Sequence, residues 1–86
     1  MTITKQTVAN KILGYLRHDI SLAELVHWAE EAMMEGEFEE QDMAVISGAV
    51  SRIGVADVRA FGLAWEDCEQ VLRQLGYTAR IDIVAA

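Results

Sequence analysis

A single cysteine, Cys68, in 86 residues excludes an internal disulfide framework and fits a reducing compartment. No apolar run approaches the roughly 18 residues that a membrane span needs. The opening stretch, MTITKQTVANK, has no apolar h-region followed by a small-residue cleavage site. A soluble, cytoplasmic protein is therefore expected. Motifs that carry chemistry are missing too. There is no Gly-rich phosphate loop, no GxSxG and no CxxC, so neither an enzyme nor a cofactor is expected. Positive charge is lacking where negative charge is densest, for neither Lys nor Arg occurs between Glu30 and Asp42.

That base-free window holds Glu30, Glu31, Glu35, Glu37, Glu39, Glu40 and Asp42, seven of the 14 acidic residues. The other seven acids balance the seven bases, so the whole formal charge of −7 resides there. Such a field repels phosphate backbones and attracts basic surfaces. A solvated face that only aids solubility is the plainer account of the same residues.

The apolar share of 52% excludes a disordered chain, and the length suits one domain, 1–86, with a single thin core. Ser21 followed by Glu24 forms a capping box, in which hydroxyl and carboxylate each satisfy the other residue's backbone N–H. Beyond it Leu22, Leu25, Val26, Ala29, Ala32 and Met33 recur at helical spacing, which predicts a helix ending near Glu35 with Gly36 in the left-handed conformation. Upstream, Thr4 is the expected N-cap of a helix over 5–17, with Ile3 stapled onto Val8. Its inward face is Val8, Ala9, Ile12, Tyr15 and Leu16, with Leu13 on the flank. The short link His18, Asp19, Ile20 predicts antiparallel neighbours.

A third helix is expected over 39–53, with Met43, Ile46, Val50 and Ile53 on its buried face and Gly54 as its stop. Val55, Val58 and Phe61 fit a short helical turn closed by Gly62. A fourth helix follows over 65–75, with Trp65, Cys68, Val71, Leu72 and Leu75 on one stripe and Gly76 beyond it. In 77–84 the period changes to two, as Tyr77, Ala79, Ile81 and Ile83 alternate with Thr78, Arg80, Asp82 and Val84. The expected fold is thus mostly α: a small bundle of about four helices plus a short helical turn, with one C-terminal β-strand. A lone strand leaves backbone groups unpaired, so Thr78, Arg80, Ile81, Asp82 and Ile83 are expected to pair with the N-terminus or with another chain, giving a homodimer in the second case.

Weaker signals have plain structural accounts. Glu24 and His27 spell ExxH with Glu31 one turn on, a spacing used by helical dinuclear metal sites. The cap already uses Glu24, and His27 points about 150° away from the apolar face at 100° per residue, so no metal is expected. His18 suits the end of a helix dipole. Cys68 reads as a core thiol. The succession of 55–62 and 65–75 has the outline of a helix-turn-helix, and Arg52, Arg59, Arg73 and Arg80 lie in the second half. Glu66, Asp67 and Glu69 nevertheless stand where a DNA reader needs donors.

A binding role remains. Trp28, Met34 and Phe38 are the expected apolar anchors, and Glu30, Glu31, Glu35, Glu37, Glu39, Glu40 and Asp42 the steering charges, of a face that meets a protein with a basic surface. A small acidic inhibitor of a nucleic-acid-directed protein, of antitoxin or immunity type, fits that physics. The alternatives are a self-associating structural module or, less readily, a helix-turn-helix-like regulator.

Overall fold

Two N-caps set the frame of the computed structural model, which describes residues 2–58, 62–80 and 83–85. The first is Thr4, between β1 (Thr2–Ile3) and α1 (Lys5–Leu16). Its Oγ1 accepts from the Thr7 N–H at 3.1 Å, and its own N–H donates to Thr7 Oγ1 at 3.2 Å. Ile3 and Val8, on either side of this cap, are both fully buried in one core cluster, as a hydrophobic staple requires. The α1 face follows the sequence expectation, with Val8, Ala9 and Ile12 buried and Tyr15 and Leu16 packed at the edge. The helix closes in a Schellman motif: His18 N–H donates to Tyr15 O at 3.1 Å and Asp19 N–H to Gly14 O at 2.8 Å. His18 itself holds the left-handed position with φ 66°.

The second cap is Ser21. Its Oγ accepts from the Glu24 N–H at 3.1 Å, while Glu24 Oε1 accepts from the Ser21 N–H at 3.4 Å. Helix α2 runs over Leu22–Glu35 and buries Leu25, Val26, Ala29 and Ala32. The expected stripe is narrower at its ends, where Leu22 is half-buried and Met33 is 53% exposed.

Gly36 is not left-handed. Its φ of −79° and ψ of 149° are extended, because the chain passes straight into β2 (Glu37–Phe38). Glycine is needed there for space. A Cβ would lie 2.5 Å from the Ala32 carbonyl oxygen and 3.0 Å from Ile3 Cγ1.

Strand β2 pairs in parallel with β1, Thr2 opposite Glu37 and Ile3 opposite Phe38, and the Glu39 N–H extends the link to Ile3 O at 2.9 Å. This corrects the expected pairing of the tail with the N-terminus. No strand forms over 77–80 or 83–85, and Ile81 and Asp82 lie outside the described residues. The reason is local. Tyr77 N–H donates to Leu72 O at 2.8 Å, closing a second Schellman motif with Gly76 at φ 93°, and Ala79 packs against the core. Ala79 thus meets helices, while Tyr77 and Ile83 stay exposed.

The third helix also starts later than the sequence suggests. With its N–H committed to Ile3, Glu39 stays extended at ψ 124°. A 3-10 turn over Glu40–Asp42 then leads into α3 (Met43–Gly54). Met43 is therefore 47% exposed rather than in the core, while Ile46, Ala49, Val50 and Ile53 are buried. Gly54 is the last helical residue, not a stop beyond it. In the following turn Ala56 is the buried residue, and Val55 and Val58 are exposed. Phe61 lies outside the described residues, and Gly62 takes the positive φ expected of a terminator, 62°.

Helix α4 (Trp65–Gln74) buries Cys68, Val71 and Leu72, with Leu75 beneath its end. Asp67 Oδ2 accepts from the Ala64 N–H at 2.8 Å, the half of a capping box that an alanine N-cap permits. Helix α3 is the hub. It packs most extensively on α2 and also touches α1, α4 and β2. Among the described residues, no helix is long and apolar enough to cross a membrane.

Gly36→Ala forces the Ala32 carbonyl and Ile3 apart, an overpacking that costs about 1–3 kcal/mol. The urea midpoint is expected to fall with the slope unchanged. A midpoint equal to wild type would show that the close approach is not a constraint.

Candidate functional site

The acidic segment divides into an outer helix face and a fixed connection. Glu30, Glu31 and Glu35 are exposed on α2, as are Glu37 and Glu40 beyond it, while Glu39 and Asp42 are half-buried. Asp42 is partly neutralised by Lys5, whose Nζ lies 3.6 Å from Oδ2. His27 Nε2 lies 2.6 Å from Glu31 Oε1, one turn on, and both side chains are exposed. With Glu24 held in the cap, the ExxH spacing is used up by local pairs. Among the described residues, no group of three or more His, Cys, Asp or Glu side chains converges.

The three expected anchors do not form one patch. Met34 is 84% exposed, with Glu30 and Glu31 one helical turn before it. Trp28 points about 120° away from Met34 around the helix. It is half-buried at the core edge, where the Lys11 ammonium lies 5.7 Å from the ring centroid in a cation–π contact. Phe38 is half-buried against the core, its backbone held in β2 opposite Ile3. Met34 alone of the three is free to be covered. Met33 and Met43, which helical spacing assigned to the core, add exposed thioether surface on the last turn of α2 and the first of α3. Met33 Sδ packs beside the bare backbone of Gly54, 3.7 Å from the position of a Cβ there.

On other elements lies a groove of about 690 Å³ that sequence reasoning did not find. Leu13 and Leu16 from α1 and Trp65 and Leu72 from α4 form its walls, with Tyr77 at one end. Arg17 and Arg80, together with Asn10 and Thr78, supply its polar rim. The only advance signal was Leu13, an apolar residue on the flank of an otherwise well-patterned helix. Thr78 and Arg80, expected in a strand ladder, face this groove instead. Ile83 is 94% exposed.

Neither the nucleic-acid outline nor a reactive thiol gains from the geometry. Asp67 is engaged by Arg52, whose Nη2 lies 3.4 Å from Oδ1, and Glu69 by Arg73 at 3.7 Å. Arg59 lies outside the described residues. Burial, reinforced by the adjacent Asp67 charge and opposed by Arg52, pushes the Cys68 thiol up to about 11. A thiol held protonated in the core is a poor nucleophile. Comparison with protein-family models, curated proteins and solved structures returns no match for this chain.

The Cys68 environment makes alkaline stability testable. The unfolded chain releases the thiol proton near 9, whereas the folded chain holds it to about 11. Over that window the folded state binds more protons, so stability falls as pH rises. Cys68→Ala loses packing but also loses this linkage. Its deficit in melting temperature relative to wild type should narrow from below pH 9 to about pH 11. A constant deficit would count against burial of the thiol.

Proposed function

We propose that this chain is a non-enzymatic binding domain whose acidic α2 face meets a protein with a basic surface. One observation carries the reading: Met34, at 84% exposure, projects among exposed carboxylates that no Lys or Arg of this chain neutralises among the described residues. Glu30, Glu31, Glu35, Glu37 and Glu40 steer the partner, and Met34 with Met33 supplies apolar contact. Methionine is enriched at interface cores, and charge complementarity acts chiefly on encounter rate and choice of partner. Trp28 and Phe38 act from behind this face by fixing α2 and β2. The half-buried Glu39 and Asp42 belong to the same acidic surface at its edge. An inhibitor of a nucleic-acid-directed protein, of antitoxin or immunity type, is one occupant of this role. A cytoplasmic setting suits it.

The test is capture on the immobilised full chain at low and high salt, with the Glu30→Gln/Glu31→Gln/Glu35→Gln and Met34→Ser variants in parallel. Basic proteins are expected to bind and to be released by salt. The charge variant should slow association, and Met34→Ser should weaken binding about fivefold or more, the scale of a 1 kcal/mol contact. Acidic partners, or binding indifferent to salt, would sink the reading.

A second reading, self-association through the tail, draws support from Ile83 at 94% and Val84 at 81% exposure, β-branched residues left uncovered by the chain itself. Pairing of 78–83 with the same segment of a second copy would satisfy its backbone groups and give Ile83 a cross-strand neighbour. Deleting 80–86 should then convert a dimer into a monomer in light scattering. A mass unchanged by the deletion rejects strand-mediated assembly.

A further inference from the structure

The groove between α1 and α4 joins apolar walls to two guanidinium groups. Among the described residues it is lined by no Asp or Glu. Two of the seven bases, Arg17 and Arg80, come from positions 63 residues apart (80 − 17) to the same rim. Both are exposed, and neither forms an ion pair among the described residues. Leu13, at 41% exposure, and Tyr77, at 39%, leave apolar surface uncovered beside these guanidinium groups. Trp65 lies half-buried in the same wall.

We propose that this groove is a binding site for a small amphiphilic carboxylate, a free aliphatic acid of medium chain length or its aromatic equivalent. The reasoning is charge complementarity joined to shape. A volume of about 690 Å³ falls within the ~300–1,000 Å³ usual for small-molecule sites. Its walls are aliphatic and aromatic, and they offer an alkyl chain the burial that drives apolar ligands from water. The polar groups lie at the rim, where planar guanidinium forks match a carboxylate in bidentate geometry. A cationic amphiphile finds no counter-charge among the described lining residues, and a neutral one leaves both forks unmet. The assignment is independent of the acidic α2 face, since no residue of that face lines the groove.

The two tryptophans provide a direct readout, because Trp65 lines the groove and Trp28 does not. In the full chain carrying Trp28→Phe, decanoate is titrated as monomer below its micelle concentration while Trp65 emission is followed. Decanol and decyltrimethylammonium are titrated alongside. A saturable change with decanoate is expected, with at least tenfold weaker response to decanol and none to the cation. Arg17→Gln/Arg80→Gln should weaken decanoate at least tenfold while its helical circular dichroism stays that of the parent, both side chains being exposed. That scale corresponds to the loss of a charge-assisted hydrogen bond. No saturable change, an equal response to all three chains, or undiminished binding in the double variant would each overturn the proposal. The ligand comparison needs no groove variant, so it decides the matter even where the double variant unfolds.

Discussion

Close packing of small side chains between α2 and α3 is the constraint on which the other contacts depend. Ala29, Ala32 and Ala49 are buried at 0%, 0% and 2% exposure, and Gly54 presents bare backbone to Ala29 and Met33. Residues of this size let helix axes approach to the short end of the usual 8–10 Å range. Close approach in turn sets how far Ile46, Val50 and Ile53 reach toward α1 and α4. A larger residue at Ala29 or Ala49 would therefore disturb every layer, since α3 touches all three other helices. The thinness of the core makes this dependence sharper: buried area is small in a domain of this length, so few contacts are spare.

A second close approach, Gly36 against Ile3, turns the acidic connection from a loose linker into a fixed one. Ile3 is fully buried, staples α1, pairs with Phe38 and accepts from Glu39. One residue thus ties the N-terminus, the first helix and the exit from α2. The carboxylates of Glu37 through Asp42 ride on this clamp. Holding seven like charges within thirteen positions costs electrostatic energy that a disordered segment would relieve by spreading. The Ile3 clamp and the Lys5 to Asp42 pair offset part of that repulsion.

The elements governed by local rules were legible in the sequence. Both N-caps, the buried faces of α1 and α4, and the terminating roles of Gly62 and Gly76 follow from capping chemistry, helical period and glycine's freedom at positive φ. What escaped depended on contacts between distant residues. Gly36 reads as a left-handed terminator by its position after a helix, yet its small size is used against Ile3, 33 residues earlier (36 − 3). The two-residue β1 and β2 are too short to show a period, so the tail with its clear alternation drew the strand assignment. Of the tail's apolar set Ala79 packs onto helices, while Tyr77 is 39% and Ile83 94% exposed. Methionine misled in a different way. Helical spacing placed Met33 and Met43 in the core, while their positions at a helix end and a helix start leave them at the rim. Spacing likewise grouped Trp28, Met34 and Phe38 by proximity in sequence, whereas the helix rotation separates the first two and the sheet withdraws the third.

Charge in this chain is therefore a matter of placement more than of total. A formal −7 suggests a molecule hostile to anions everywhere. At physiological ionic strength, however, fields between exposed charges fade over a Debye length of about 8 Å, and the molecule extends 42 × 27 × 21 Å. Charges on separate elements can thus act on their own neighbourhoods. The α2 face is governed by its own carboxylates, and the groove by Arg17 and Arg80. Segregation of this kind is not required for solubility, which a net charge far from zero already favours. The fold separates the two kinds of charge by drawing these acids from one continuous stretch and the groove's two bases from opposite ends of the chain.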